Sequence, residues 1–340
     1  MKRLLTAALL LSLTTLGLAC KDEGGNVTPG ASAGGTVKVV YIPKNTGNPY
    51  FDPAIEGMRK AAEEMGATFE SIAPATADST SQLPLIKSQV QQGVNVLAIS
   101  PNSPDALSPA LKQAMDRGVT VITIDADIAD PASRHAAVLT ADPTMVGEGQ
   151  VELLGSLIGY EGKFAILSAT TDAPNQNQWI AEMEKILKYK KYQGMELVEI
   201  AYGNDEPQKS LSEAEALLSK YPDLKGIIAP TTVGIAAAAQ AVESANKYDQ
   251  VKVTGLGTPN QMRRFVKDGI VEAFQLWSPY DEGYLAGVVG IKMANGELDA
   301  SAGTSFEAGT LGSRDIRDNA VIITGPPVTF NKDNIDDFDF

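Results

Sequence analysis

Residues 37–71 read VKVVYIPKNTGNPYFDPAIEGMRKAAEEMGATFES. An apolar, β-branched run from Val37 to Ile42 leads into an Asn/Gly/Pro turn. A stretch of helical amphipathicity near 53–65 comes next, then a stop at Gly66 and a second short run from Ala67. Continuous rather than alternating apolarity predicts parallel strands buried on both faces. A glycine directly after an amphipathic segment is helix-stop chemistry. The unit recurs along the chain. Further strand candidates begin at Val94, Val119 and Ala136, and a second series begins at Lys163, Met195, Lys225, Val251 and Val271. Helical stretches fall near 80–92, 104–117, 143–158, 176–190, 208–220, 232–246, 258–268 and 279–295, several of them followed by Gly93, Gly118, Gly269 or Gly296. The β-α order runs twice, with a break near Thr140–Pro143. It predicts an α/β chain of two Rossmann-like, doubly wound lobes with parallel sheets.

Composition supports two soluble domains. The chain has 340 residues, of which 44% are hydrophobic and 21% charged, which excludes a mostly disordered protein. Lys and Arg number 28 against 42 Asp and Glu, a net charge of −14. So acidic a chain, with no basic stripe, does not suit nucleic acid. Cys20 and His135 are the sole residues of their kinds. An intramolecular disulfide is therefore impossible, and so are a Cys/His zinc site and a Cys–His dyad in the folded body. His135 reads as structural or solvent-exposed.

The N-terminus reads as an address. Met1-Lys2-Arg3 is basic, and Leu4–Ala19 is apolar apart from Thr and Ser. The run is short for a membrane span and ends in small residues before Cys20. Gly17-Leu18-Ala19-Cys20 resembles a bacterial lipoprotein signal, although Gly17 stands where that motif prefers Leu. This predicts a signal peptide over 1–20 with a lipidated Cys20. Residues 21–36, KDEGGNVTPGASAGGT, read as a flexible tether with an r.m.s. reach of roughly 20–24 Å. The expected location is periplasmic or at the cell surface, held to a membrane by lipid alone.

In doubly wound sheets, ligands bind beyond the carboxyl ends of the strands. After the first strand, Lys44 to Asp52 brings together a cation, two amides and the adjacent aromatics Tyr50 and Phe51. These groups suit hydroxyls and the C–H face of a sugar, and they equally suit a turn beside a core. Asp125 and Asp127 end the fourth strand and, at period 2, project to one side. They can accept from ligand hydroxyls, cap the next segment, or hold a cation for phosphoryl chemistry. Asn175, Gln176, Asn177 and Gln178 open a helix, where amides suit neutral polyols or, in the case of Asn175, an N-cap. Pro230, Thr231 and Thr232 precede an Ala-rich helix, and Trp277 ends the last core strand, to wall a pocket or fill the core. The chain lacks G-x-x-x-x-G-K-[ST], and no G-x-S-x-G elbow follows any strand candidate.

The motifs KNTGNPYFD, SPNSPDALSPALKQAMDRGVTVITIDAD, NQNQW, GIIAPTTVGIAAAAQA, GLGTPNQMRRFVKDG and NIDDFDF, in that order, resemble the type I periplasmic sugar-binding proteins of ABC importers. The resemblance spans about Val37 to Phe340. It is greatest to the rhamnose-binding branch, whose relatives bind autoinducer-2. It implies two lobes joined by a three-strand hinge, 37–140 plus 278–305 in the N-terminal lobe and 141–277 plus 306–340 in the C-terminal lobe. It implies ligand contacts at Lys44, Asn48, Phe51, Asp125, Asp127, Asn175, Gln176, Pro230, Thr232 and Trp277. Asn175 departs from the Asp of the autoinducer-2 receptors, and Thr232 is larger than their small residue. The implied function is capture of a neutral monosaccharide, L-rhamnose, and delivery to an ABC permease. It involves no catalysis, metal or cofactor, and a clamp of this kind favours a monomer. The alternatives are autoinducer-2 uptake, presentation to a chemoreceptor and, from another class, an Asp-x-Asp phosphatase.

Overall fold

The computed structural model describes residues 35–340. The expected signal peptide, Cys20 and the tether through residue 34 lie outside the described residues. In chain order the first elements are β1 (Lys38–Ile42), α1 (Phe51–Glu64), β2 (Thr68–Ser71), α2 (Ser79–Gln91), β3 (Val96–Ile99), α3 (Ser108–Met115), β4 (Thr120–Ile124) and β5 (Ala136–Leu139). The second series is α4 (Pro143–Ile158), β6 (Glu161–Ser168), α5 (Pro174–Ile186), β7 (Gly194–Tyr202), α6 (Pro207–Lys220), β8 (Leu224–Ala229), α7 (Thr232–Ser244), β9 (Lys252–Gly255), α8 (Pro259–Lys267) and β10 (Ala273–Leu276). Last come α9 (Pro279–Ala294), β11 (Ser305–Glu307), β12 (Ser313–Asp315), β13 (Val321–Ile323) and β14 (Val328–Asn331).

The α/β reading holds. One sheet has the order β13-β5-β4-β3-β1-β2, every neighbour parallel. The other has the parallel order β7-β6-β8-β9. It is extended by a bridge from Leu256 to Gln275 on β10, which pairs antiparallel with β14. The central strands β3 and β4 are buried at every residue, as their unbroken apolar runs require. Gly66 and Gly118, at φ 67 and 82, stop α1 and α3 in the left-handed conformation that only glycine adopts without cost.

The chain passes between the sheets after β5, after β10 and after β13. The third passage corrects the expected division of the C-terminal segment. Val321–Ile323 pairs with Ala137–Leu139 in the first sheet, so the chain stays with the first lobe well past residue 305. Only β14 and the residues beyond it join the second lobe. Thr324 and Gly325 donate backbone bonds to Leu139 and Thr140, so two passages run side by side.

The loop after β1 is braced from below by α2. The Gln82 amide donates to the Ser100 carbonyl (2.8 Å), and its oxygen accepts from Asn102 N–H (3.0 Å). Asn102 Nδ2 in turn donates to the Lys44 carbonyl at 2.8 Å. Asp78 starts α2 as its N-cap, accepting from Ser81 N–H at 2.9 Å and from the hydroxyls of Thr76, Thr80 and Ser81. Those hydroxyl bonds hold its carboxyl well below the ordinary value of 3.8. The stability it contributes is therefore present above that value and lost as pH falls through and below it. Asp78→Ala should cost about 1–2 kcal/mol. Urea unfolding at pH 7 should show that loss, and the gap from wild type should narrow toward pH 3.

Candidate ligand-binding site

The loops at the carboxyl ends of both sheets converge on one cavity with about 330 Å³ of empty space. Lys44, Asn48 and Phe51 reach it from the β1–α1 segment, and Asp125 from the end of β4. Asn175 and Gln176 reach it from the first turn of α5, Pro230, Thr231 and Thr232 from the start of α7, and Trp277 from the passage between β10 and α9.

The polar side of the cavity is a network that crosses between lobes. Lys44 Nζ donates to Asn175 Oδ1 at 2.8 Å and pairs with Asp125 Oδ2 at 3.0 Å. Asn175 Nδ2 donates to the same Asp125 oxygen at 3.1 Å. Thr232 Oγ1 donates to Asn48 Oδ1 at 2.7 Å, a second tie across the cleft. The oxygen of Gln176 is held within the second lobe by Ser168 Oγ (2.7 Å) and Ala169 N–H (2.8 Å), which leaves its Nε2 as the donor it can offer. Phe51, Trp179 and Trp277 with Leu256 and Leu276 form the apolar side. The rings of Trp179 and Trp277 lie 5.7 Å apart at 58°.

Asp127 does not line this cavity, which corrects the expectation that it assists Asp125. Its carboxylate takes both Arg134 Nε (2.7 Å) and Nη2 (2.6 Å), together with the Thr123 hydroxyl at 2.7 Å. Arg134 also donates to the Asn319 carbonyl, so the pair ties this turn to the segment before β13. The period-2 argument fails because β4 ends at Ile124 and Asp125 sits at φ 67. A left-handed residue breaks the alternation that would put both carboxylates on one face. The two acids therefore meet different partners and form no paired cation site. His135 accepts from Val121 N–H through Nδ1 at 3.0 Å, and burial lowers its pKa, a structural role.

Residues 39–298 match a protein-family description, the periplasmic binding protein domain. The chain belongs to the periplasmic binding protein family. It is a binding protein rather than an enzyme, as the resemblance implies. It is 42% identical to a sugar ABC transporter protein of Actinomyces odontolyticus, with 89% of this chain and 98% of that one covered at a TM-score of 0.72. It is 33% identical to an ABC transporter solute-binding protein of Clostridium phytofermentas with bound L-rhamnose (89% and 98% covered, TM-score 0.86). It is 28% identical to LsrB of Clostridium saccharobutylicum in complex with AI-2 (89% and 100% covered, TM-score 0.84).

The binding protein also places groups in the cavity that the motif reading passed over. Asp205, in the turn after β7, is buried there and accepts from Thr231 Oγ1 at 2.5 Å. Burial pushes its carboxyl upward, and the Thr231 hydroxyl and the Lys44 charge pull against that. Applying the strand-end rule to the run from Met195 would have reached it. Trp179, Leu256 and Leu276 carry no local signal that separates them from core residues. Tyr50 was visible beside Phe51 but not singled out.

Proposed function

We propose that this protein is an extracytoplasmic solute-binding lipoprotein. It captures one neutral monosaccharide, L-rhamnose, in the cleft between its lobes and delivers it to an ABC permease. The observation that carries this reading is the two-sidedness of the cavity. Lys44, Asp125, Asn175, Gln176 and Asn48 supply donors and acceptors on one side, and Phe51, Trp277, Trp179, Leu256 and Leu276 supply an apolar side. A 6-deoxyhexose has that distribution, with hydroxyls along one part and a methyl group at C5. Each buried hydroxyl left unpaired costs about 1–3 kcal/mol, so the pattern of partners selects the stereoisomer. Hinge motion at the three passages opens the cleft for entry and release. Lipid on Cys20 holds the body near the permease.

Calorimetric titration of the body from Lys21, freed of co-purified ligand, tests this. The panel is L-rhamnose, L-fucose, ribose, galactose and autoinducer-2. The expected result is one-to-one binding of L-rhamnose at micromolar Kd or tighter, about −8 kcal/mol. Binding of ribose or galactose in preference would reject the deoxysugar assignment. The AI-2 complex of the 28% identical protein favours a second reading, signal uptake. Preference for autoinducer-2 in the same titration would establish that reading in place of the first.

A further inference from the structure

Glu282 is fully buried in the first turns of α9 and does not line the cavity. The Tyr50 hydroxyl donates to its Oε2, and Trp277 Nε1 donates to that hydroxyl at 2.8 Å. Tyr50 also meets Phe51 edge-on, with ring centroids 5.2 Å apart. One phenol thus touches two aromatic walls of the cavity, Phe51 and Trp277, and its proton goes to one carboxyl. A buried carboxyl is expensive for stability where an apolar side chain would pack. Its packing value therefore does not account for it, whereas the fixed donor–acceptor chain does.

We infer that Glu282 is a positioning residue for ligand binding, setting the Trp277 indole through the Tyr50 hydroxyl and so coupling the cavity wall to the β10–α9 passage between the lobes. This rests on the proposed site, though not on which sugar fills it. Burial, with the Asp125 charge as a smaller cause, pushes the Glu282 carboxyl well up, toward its neutral form. A neutral carboxyl accepts through its carbonyl oxygen, as a glutamine amide does. Glu282→Gln is then a conservative replacement, and Glu282→Leu and Tyr50→Phe each break the chain.

The chain's only two tryptophans, Trp179 and Trp277, both line the cavity, so intrinsic emission reports the wall directly. In ligand-free protein, Tyr50→Phe and Glu282→Leu should each shift and broaden that emission, and Glu282→Gln should match wild type. Affinity for L-rhamnose should fall about tenfold in Tyr50→Phe and in Glu282→Leu. It should stay within about twofold of wild type in Glu282→Gln. The double variant should lose no more than Glu282→Leu alone, because Tyr50→Phe breaks only a link that Glu282→Leu already removes. Wild-type emission and affinity in Tyr50→Phe would overturn the inference, and so would losses that multiply in the double variant. Tyr50→Phe removes one oxygen and keeps the decision open if Glu282→Leu fails to fold. Failure of the wild type to bind any sugar of the panel would reject the proposed ligand, while the ligand-free emission would still decide the role of Glu282.

Discussion

Asp125→Ala is expected to weaken sugar binding at least 100-fold while the protein stays folded. Asp125 and Lys44 are both buried, and their contact at 3.0 Å is joined by Asn175 Nδ2 on the same oxygen. Removing one partner of a buried, hydrogen-bonded charge pair costs about 2–5 kcal/mol, mostly because the other charge is left dry. Here that cost falls on the closed state. Lys44 lies at the cleft, so parting of the lobes returns its ammonium to water and spares the folded lobes most of the penalty. The variant should therefore lose affinity in calorimetry and widen in small-angle scattering, with a smaller change in Tm. The left-handed backbone at φ 67 adds a cost of about 1–2 kcal/mol for alanine that asparagine largely escapes. Asp125→Asn, which keeps shape and backbone, isolates the charge and should lose affinity by an intermediate factor. Undiminished affinity in the alanine variant would remove Asp125 from the site.

Why Asp125 was legible and Asp127 was misread has a local cause. The end of the run VTVITI was plain, and strand ends face ligands in this fold. The face that each later residue takes depends on backbone angles, and one left-handed residue redirected Asp127 to Arg134. The helices between the apolar runs were visible because amphipathic segments of 8 to 16 residues leave a periodic trace. β11, β12 and β13 have three residues each, too few for any period. The allotment of the C-terminal segment failed there. The inter-lobe pairs lay beyond local reading as well. Lys44 and Asn175 are 131 residues apart, and Asn48 and Thr232 are 184 apart. Their residue types pointed to polar ligands, but their contact with one another belongs to the closed arrangement of the lobes.

Gly57→Ala is the other change with a large expected effect, and its sign is decided by two opposing magnitudes. Alanine inside a helix ordinarily gains about 0.5–1 kcal/mol over glycine. Gly57 lies where α1 crosses α9, and a Cβ there would stand 2.0 Å from the Tyr280 carbonyl oxygen and 2.9 Å from Tyr284 N. The contact is reciprocal, since a Cβ on Gly283 would stand 1.9 Å from the Ala54 carbonyl oxygen. Backbone atoms inside two packed helices cannot turn aside as a side chain can, so the helices themselves must separate. Overpacking of this kind costs roughly 1–3 kcal/mol and occasionally more, which exceeds the propensity gain. Tm should fall by a few degrees, roughly 2–8 °C. Binding should weaken too, because α1 begins at Phe51 and α9 begins two residues after Trp277, both of them walls of the cavity. Gly287→Ala is the matched control on the same interface. Its Cβ would stand 2.8 Å from Ala61 Cβ and 3.2 Å from Met58 Cγ, its nearest backbone neighbour being Met58 O at 3.3 Å. Its closest approach, 2.8 Å to a methyl carbon, is a far milder overlap than 2.0 Å to a carbonyl oxygen, so the control should lose less. Equal losses in the two variants would show that the α1–α9 crossing yields as easily at its backbone contacts as at its side chains. Wild-type Tm in Gly57→Ala would show that the close approach of the helices is not required for the fold.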